Sequence, residues 1–401
     1  MTVSILFIGN YPPPYGGVPH HLERLTNHLS SKEYECFVLA GGSASYELKE
    51  NGVHVFKMSS TKKLIYFLKS LLSIRLEFFV DNFFFLLKNP RWWIRSKIFC
   101  YAANKIIKEN NIDLISSYNL LAYSVIGSII AKEHKIPHVI NIFGEIYKND
   151  FMIEEKEIFK KVVNHSEEIV SCSRHCGLSL KKIDPSKEVD FLTYGIDLNH
   201  FNFQRKEEDK AFLIHKDKIN ILFVGRLSHE MGLNHFLKLV TNKDLMKLNI
   251  YFTALGQEGD LYLQAKSLSE RQSNFDVISN IDYEDLPFYY IDADLCIVPT
   301  TGQRTCSSLA SMEAMASKAV VIANEIGGIP ELIEHKSNGF LVSDNNHNEY
   351  AEYIELLATN STMLEKLKEE SYRYAHDNFD ENRVNVHLEK KFSQLINPKY
   401  T

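Results

Sequence analysis

The sequence predicts an α/β protein with two doubly wound, Rossmann-like domains, because the same alternation of strand and helix starts twice along the chain. The first half opens with the apolar run Val3–Gly9 (VSILFIG), and the second half opens with the similar run Ile219–Gly225 (INILFVG). A glycine-containing loop and a helical pattern follow each run, which is the order of a βαβ unit with parallel strands. The 401 residues are enough for two cores.

The remaining elements of each half fit the same alternation. We therefore expect a first domain over 1–200, a second over 201–380, and a final helical segment over 381–401 that has the length to pack back across the first domain. The carboxyl ends of parallel strands are where open α/β sheets bind ligands, so the predicted site is a central cleft that both domains face.

Composition and charge exclude several classes of protein. The net charge is −6, which argues against a nucleic-acid partner because such proteins carry a basic excess. The first residues lack the basic and apolar regions of a secretory leader, and no stretch reaches about 18 uncharged apolar residues. The six cysteines are scattered without zinc spacing and are interpreted as reduced thiols, so we expect a cytoplasmic protein.

The segment 64–101 stands out because it combines a run of phenylalanines, both tryptophans and six Lys or Arg residues. One interpretation is an in-plane membrane helix that holds the protein peripherally on the inner face of the cytoplasmic membrane, since interfacial tryptophan and flanking cations are typical of such helices. The other is an apolar pair of helices that covers the core of the first domain. The sequence leaves both open.

Three loops carry residues suited to an anionic ligand. Gly16 and Gly17 lie between the first strand and its helix, where a phosphate could approach the backbone, although a simple tight turn explains them as well. Arg226 directly follows the second buried run and could contact a diphosphate with two hydrogen bonds. The alternative for Arg226 is a surface ion pair with Glu230.

A third loop leads into a helix that begins near Ser307 and Ser308 and contains Glu313 among small apolar residues. A carboxylate in such surroundings needs a polar partner. The vicinal hydroxyls of a ribose can supply two hydrogen bonds to one carboxylate. A solvent-facing Glu is the alternative, and its apolar neighbours Met312 and Ala314 argue against it.

Several motifs together resemble glycosyltransferase family four, whose members have the GT-B fold. The residues that carry the resemblance are GGV at 16–18, FVGRLSHEMG at 223–232, ADLCIVP at 293–299, LASMEAMA at 309–316 and GGIPELIEHKSNGFLV at 327–342. They occur in the order found in the family and cover nearly the whole chain. The resemblance implies a retaining transferase that uses a nucleotide-diphosphate sugar of UDP or GDP type and needs neither a metal nor another cofactor.

The resemblance also implies roles for individual residues. Arg226, Glu313 and Glu145 would be the catalytic residues, with Arg226 on the donor diphosphate and Glu313 on the ribose. The backbone near Ser279 and Ile281 would meet the base. The remaining donor-binding positions would be Gly16, Gly17, Arg304, Thr305, Ser307, Ser308 and Leu309.

Three positions depart from the family pattern. Met231 stands where the family has a phosphate-binding lysine, Thr305 where it has a glutamate, and Phe143 where it has a histidine. We expect Arg304, His229 or Lys318 to replace the missing cation. Thr305 and Phe143 lower the polarity expected of the sugar pocket, which suggests a deoxy or otherwise unusual donor sugar.

The acceptor that fits these observations is a glycan or a lipid-linked sugar of bacterial envelope polysaccharide or lipopolysaccharide synthesis. Two other functions stay open. A noncatalytic nucleotide-sugar or glycan-binding homologue, acting as a partner subunit, would explain the three departures. A sugar-nucleotide epimerase or hydrolase on the same scaffold is the other, since a fold does not fix the reaction.

Overall fold

The structure is a computed structural model that describes residues 2–12, 16–41, 46–50, 52–73, 89–121, 123–202, 215, 217–302, 305–343 and 346–396. The chain divides into two compact units. Unit 1 comprises residues 1–192 and 384–401, and unit 2 comprises residues 193–383. The predicted boundary was near residue 200. Each unit contains its own sheet, and together the two sheets give the predicted fold class of two doubly wound α/β domains.

Unit 1 is built on an eight-stranded sheet in the order β3-β4-β2-β1-β5-β6-β7-β8. The strands are β1 (Val3–Asn10), β2 (Tyr34–Gly41), β3 (Tyr46–Glu50), β4 (Val53–Lys57), β5 (Leu114–Tyr118), β6 (His138–Ile142), β7 (Glu168–Ser171) and β8 (Asp190–Phe191). All neighbours are parallel except β3 and β4, which form an edge hairpin that the sequence analysis did not predict. The side chains of β1 from Ile5 to Ile8 are fully buried, as a central parallel strand requires.

Helices cover this sheet. They are α1 (Gly17–Ser30), α2 (Ser60–Ser73), α3 (Pro90–Glu109), α4 (Tyr123–His134), α5 (Glu145–Lys148), α6 (Phe151–Glu154), α7 (Lys156–Asn164) and α8 (Arg174–Leu178). Helix α1 could be predicted from the sequence because its buried residues Leu22, Leu25 and Leu29 recur at helical spacing. It begins directly after the loop that follows β1, so its N-terminus lies at the carboxyl end of that strand.

Unit 2 is built on a six-stranded parallel sheet in the order β11-β10-β9-β12-β13-β14. Its strands are β9 (Ile219–Val224), β10 (Ile250–Gly256), β11 (Phe275–Ser279), β12 (Leu295–Val298), β13 (Val320–Asn324) and β14 (Gly339–Val342), and its helices are α9 (Leu233–Val240), α10 (Tyr262–Ser269), α11 (Leu286–Ile291), α12 (Leu309–Ala316), α13 (His347–Thr359) and α14 (Ser361–Asn378). The strand order reverses between β9 and β12. The loops after these two strands therefore flank the crevice where ligands bind in doubly wound sheets.

The last helix, α15 (Glu381–Ile396), belongs to unit 1 from Val384 onward. The ring of Phe392 packs 6.3 Å from that of Phe7 on β1, and Leu388 is fully buried. Polar contacts at the rim of the helix include a 3.0 Å ion pair between His28 Nε2 and Glu389 Oε2. The end of the chain therefore completes the core of unit 1.

Two helices, α2 and α3, account for the described part of the segment 64–101, and residues 74–88 lie outside the described residues. The indole N–H of Trp92 donates to the carbonyl of Leu121 at 3.0 Å, and Trp93 packs edge-on against Phe67 with ring centroids 6.1 Å apart. Both tryptophans therefore pack within unit 1, which removes the observation that most favoured membrane contact. None of the helices in the described ranges is both long and apolar enough to cross a membrane.

The cysteines correct one expectation. Cys36, Cys100 and Cys296 are buried free thiols, whereas Cys176 and Cys306 are in the disulfide form. The prediction of reduced thiols is therefore wrong for these two. It rested on spacing along the chain, and spacing alone does not report the oxidation state of a thiol in the folded protein.

Candidate functional site

The loop after β9 holds Arg226 at the carboxyl edge of the sheet of unit 2. Arg226 is exposed, and the next residue, Leu227, is fixed by its N–H, which donates to the carbonyl of Gln257 at 2.9 Å. The loop ends at Gly232, whose φ of +80° is a left-handed conformation that favours glycine. A Cβ atom at Gly232 would lie 1.9 Å from the carbonyl oxygen of Pro299, so this glycine lets the loops after β9 and β12 touch.

A chain of buried hydrogen bonds joins three loops at this edge. Tyr350 Oη donates to Asn324 Oδ1 at 3.0 Å, and Asn324 Nδ2 donates to the carbonyl of Thr300 at 2.7 Å. Thr300 Oγ1 then donates to the carbonyl of Glu230 at 3.3 Å, within the Arg226 loop. The sequence analysis missed this network. Its one signal is Asn324, an amide at the end of an otherwise apolar buried strand.

Helix α12 begins at the same edge and presents its N-terminus there. Ser308 caps the helix, because its Oγ accepts the N–H of Ser311 at 3.1 Å. The N–H groups of Leu309 and Ala310 belong to the first helical turn, which has no intrahelical acceptor. The hydroxyl of Ser307 is buried and has no hydrogen-bond partner in the described part of the chain. This arrangement suits an anionic group.

Glu313 lies one turn further along α12 and is buried. Its Oε2 accepts a hydrogen bond of 2.9 Å from the hydroxyl of Tyr290 on α11. Burial and the negative charge of Glu313 hold the pKa of Tyr290 well above its ordinary value, so the phenol stays a donor. The expected polar partner of Glu313 therefore includes a tyrosine of the protein, which the sequence analysis did not identify.

The region predicted to meet the base follows β11. Ser279 Oγ and Asn280 Nδ2 both donate to Glu258 Oε1 at 3.3 Å, and Asn280 adopts a left-handed φ of +57°. Ile281 is partly buried against the apolar core. Glu258 was not among the predicted residues, although it is the acceptor that holds this turn in place.

Two of the positions that depart from the family pattern, Met231 and Thr305, lie in unit 2, and the structure shows what each of them contacts. Met231 packs against the apolar core of unit 2 and offers no donor. The carbonyl of Thr305 accepts the N–H of Gly328 at 2.8 Å, and a Cβ at Gly327 would lie 2.2 Å from the same carbonyl oxygen. The turn at 327–328 therefore fixes the backbone of Thr305. The predicted residue Arg304 lies outside the described residues.

Of the other two cations expected to replace the missing lysine, only His229 lies in the Arg226 loop. Its Nδ1 is 2.7 Å from Asp260 Oδ2, and both side chains are exposed. Lys318 follows the opposite end of α12 from Ser308 and pairs with Glu369. Because eight helical residues span about 12 Å, the expectation for Lys318 is wrong.

In unit 1, Gly16 and Gly17 stand at the start of α1. A Cβ at Gly16 would have Pro19 Cδ, 3.8 Å away, as its nearest neighbour, so the space beside this residue is open. Glu145 is buried, and burial raises the pKa of its carboxyl. Its oxygens accept the N–H groups of Leu120 at 2.7 Å and Phe143 at 2.8 Å. Glu145 thus joins the loops after β5 and β6, and its catalytic role stays a prediction.

The side chain of Phe143 belongs to an aromatic group in unit 1. Its ring lies 6.4 Å from that of Tyr118, and His21 lies 6.0 Å from Tyr118 on the other side. Burial and the neighbouring Arg24 lower the pKa of His21 to about 3, so the imidazole is neutral near pH 7. Within the described residues, no group of three or more His, Cys, Asp or Glu side chains could hold a metal ion.

Comparisons with known proteins agree with this architecture. Residues 204–374 match the family described as glycosyl transferases group 1. An uncharacterized glycosyltransferase of Methanocaldococcus jannaschii is 24% identical over 98% of this chain and 98% of its own. The amylovoran biosynthesis glycosyltransferase AmsK of Erwinia amylovora is 25% identical over 50% of each chain.

Solved structures share the fold over the full length. Sucrose-phosphate synthase of Thermosynechococcus elongatus superposes with a TM-score of 0.79 at 15% identity, and the alignment covers 99% of this chain and 100% of the other. Anabaena HepE in complex with UDP-glucose gives a TM-score of 0.72 at 16% identity, with coverage of 98% and 99%.

The two sheets and these structural matches show the GT-B fold, which confirms the predicted fold class. The sequence matches are to glycosyltransferases. Residues 204–374 of this chain, within unit 2, are similar to the glycosyl transferases of group 1.

Proposed function

We propose that the protein transfers a sugar from a nucleotide-diphosphate donor to a glycan or lipid-linked acceptor, with retention of the anomeric configuration and without a metal ion. The observation that carries this proposal is the arrangement at the edge of unit 2, where buried Glu313 follows the capped N-terminus of α12 by one turn. A nucleotide needs both features, because its phosphates are anionic and its ribose offers two hydroxyl donors.

In this proposal different residues bind different parts of the donor. The N–H groups of Ser308 and Leu309 and the guanidinium of Arg226 bind the diphosphate, and Glu313 accepts hydrogen bonds from the ribose. These donors stabilise the negative charge that develops on the leaving diphosphate, which is the task that a metal performs in other transferases. The turn near Ser279 and Ile281 meets the base.

The donor class and the setting draw further support from the relatives. Anabaena HepE was solved with UDP-glucose, so a closely similar fold holds a nucleotide sugar. AmsK is named for a biosynthetic pathway, that of amylovoran. We place this protein in bacterial envelope polysaccharide synthesis, on the cytoplasmic side of the membrane. The support that remains for a peripheral contact through the segment 64–101 is its exposed apolar residues Leu64, Ile65 and Leu68.

Calorimetric titration with UDP and GDP tests the donor site. The variants Arg226→Ala and Glu313→Ala should each weaken nucleotide binding at least about tenfold, since a charge-assisted hydrogen bond contributes about 1.5–3 kcal/mol. Arg271→Ala and Glu270→Ala are matched controls, because both residues are exposed in unit 2 away from α12, and they should bind as the wild type does. Wild-type affinity in both site variants would refute the assignment.

A noncatalytic nucleotide-sugar-binding protein is the second candidate, and Met231 favours it because that position offers no cation to the phosphates. Incubation of a panel of nucleotide sugars with membrane extract separates the candidates. Transfer of labelled sugar supports the proposal, release of free sugar indicates a hydrolase, and a change of the sugar indicates an epimerase. Binding without any product indicates the noncatalytic protein.

The same panel tests the donor sugar. Thr305 and Phe143 both replace more polar residues of the family, so we propose that a deoxy or otherwise less polar sugar is preferred. The expected result is a higher kcat/KM for deoxy-sugar nucleotides than for glucose and galactose nucleotides. A preference for glucose or galactose would contradict this part of the proposal alone.

A further inference from the structure

A cavity of about 320 Å³ in unit 1 carries a concentration of positive charge that the donor site does not explain. Lys63 of α2 and Arg91 and Arg95 of α3 line it, and no Asp or Glu appears among its described lining residues. The two guanidinium groups of Arg91 and Arg95 line one small cavity, and an anion bound beside them would offset their mutual repulsion. Charge complementarity therefore identifies its occupant as anionic.

The guanidinium of Arg95 is held in a fixed orientation. Its Nη2 donates to Tyr123 Oη at 2.7 Å, and Tyr123 Oη donates to Asn10 Oδ1 at 2.6 Å, at the end of β1. The Arg95 Cζ atom also lies 5.0 Å from the centre of the Tyr123 ring. An arginine has five N–H donors, so this anchoring leaves a preorganised fork for a phosphate.

The position of the cavity follows from the fold. Gly41, the last residue of β2, lines it, and Asn10 ends the neighbouring strand β1. A Cβ at Gly41 would lie 2.0 Å from Tyr123 Oη, so the glycine makes room for the hydrogen-bonded Arg95 and Tyr123 pair. The cavity therefore lies beside the carboxyl end of β2, at the edge at which a doubly wound sheet binds its ligand.

An exposed apolar strip lies on the same two helices. Leu64, Ile65 and Leu68 of α2 are 59%, 45% and 55% exposed, and Ile94 of α3, which also lines the cavity, is 38% exposed. The aromatic residues of these helices, by contrast, are turned inward and pack on one another, as Phe67 and Trp93 do. A group of large, solvent-exposed apolar side chains beside a cationic cavity is typical of a surface that binds an amphiphile.

We propose that this cavity binds the phosphate head of a lipid-linked phosphate or diphosphate, whose hydrocarbon chain lies along the strip formed by Leu64, Ile65, Leu68 and Ile94. The inference rests on the proposed function, because the bound amphiphile is then the acceptor. It narrows the acceptor from a glycan or a lipid-linked sugar to an anionic amphiphile. Arg91 and Arg95 recognise the phosphate, and the apolar strip recognises the chain.

The two tryptophans of the protein provide a local reporter, because Trp92 and Trp93 directly follow Arg91. Titration of the full-length protein with dodecyl phosphate, below its micelle concentration, should change their fluorescence and saturate. Inorganic phosphate supplies the head alone, dodecyl maltoside the chain alone, and dodecanoate a chain with another anionic head. We expect each of the three to bind at least about tenfold more weakly than dodecyl phosphate.

Variants separate the phosphate from the chain. Arg91→Gln and the double variant Arg91→Gln/Arg95→Gln should weaken dodecyl phosphate binding by about tenfold or more and leave dodecyl maltoside binding unchanged. Leu68→Gln should weaken both. The double variant Lys105→Gln/Lys108→Gln removes the same charge from the same helix outside the cavity, and it should bind dodecyl phosphate as the wild type does.

Equal binding of dodecyl phosphate and dodecanoate, equal loss in the control variant, or no saturable change would each overturn the inference. Binding of UDP or GDP, measured on the same samples, keeps this outcome distinct from failure of the proposed function. If nucleotide binds and dodecyl phosphate does not, the cavity assignment alone is wrong. If dodecyl phosphate binds and nucleotide does not, the donor-site proposal is wrong.

Discussion

At the scale of single residues, the contact between Tyr290 and Glu313 decides how the candidate ribose acceptor is oriented. A buried carboxylate loses the hydration that would stabilise its charge, so a donor from the protein must replace part of it. The Tyr290 hydroxyl supplies one such donor at 2.9 Å. Because the bond ends on Oε2, it also limits the rotation of the carboxyl group.

Removing that donor should therefore affect both stability and binding. We expect Tyr290→Phe to lower the free energy of unfolding by about 1–2 kcal/mol, because the carboxylate stays buried with one donor fewer. Nucleotide affinity should fall about three- to tenfold as the carboxyl group loses its fixed orientation. Urea denaturation and calorimetry measure the two effects. Tyr289→Phe, the same change on the same helix, should leave nucleotide affinity unaltered.

At the scale of secondary-structure elements, the site of unit 2 depends on loops that follow different strands and are tied together beneath the surface. Asn324 ends β13 and links Tyr350 on α13 to Thr300 after β12, and Thr300 reaches the Arg226 loop. Gly232 adds a direct backbone contact to Pro299. The strands thus supply a rigid edge, and the buried side-chain amide of Asn324 fixes the positions of the loops relative to that edge.

We expect Asn324→Ala to lower the free energy of unfolding by about 2–3 kcal/mol, because it leaves the Tyr350 hydroxyl and the Thr300 carbonyl buried with a bond missing from each. Nucleotide binding should weaken as well, although Asn324 is not a proposed donor contact. Tyr350→Phe removes one of the two bonds and should cost about half as much. Asn378→Ala, an exposed asparagine of α14, serves as the control. An Asn324→Ala protein with unchanged nucleotide affinity would show that the network does not position the loops.

The elements that could be predicted from the sequence are those with strong local patterns. The apolar runs at β1 and β9 and the glycine loops after them identified the two sheets and placed Arg226. The hairpin of β3 and β4 was missed because YELKE is short and three of its five residues are Glu or Lys, which are depleted in strands. Tyr290 and the Asn324 network were missed because their partners lie more than 20 residues away in sequence.

At the scale of the whole molecule, the chain leaves unit 1 at residue 192 and re-enters it at residue 384. Unit 2 is therefore a continuous segment, whereas unit 1 is assembled from two distant pieces. The returning piece is a substantial part of the core, since Leu388 and Phe392 are fully buried. The stability of unit 1 depends on residues that follow all of unit 2 in the sequence.

We expect Phe392→Ala to destabilise unit 1 by about 3–5 kcal/mol, the usual cost of emptying a buried aromatic site. Hydrogen exchange resolved by segment should show faster opening of β1 and β2, and unchanged protection of β9 and β10 in unit 2. Val386→Ala on the same helix is the control, because Val386 is 55% exposed and should change stability by less than about 0.5 kcal/mol. Equal loss of protection in both units would contradict the division of the core.

The return of α15 to unit 1 also has a consequence for biosynthesis. A ribosome makes the chain from the N-terminus, at about 5–20 residues per second. Residues 193–383 leave it as an uninterrupted unit, whereas β1 lacks the ring of Phe392 until residue 392 has also been made. Unit 2 can therefore fold while the nascent chain is still growing, and the core of the first 192 residues stays incomplete until the segment from residue 384 onward has been made. A chain that stops before residue 384 would contain all of unit 2 but only part of unit 1.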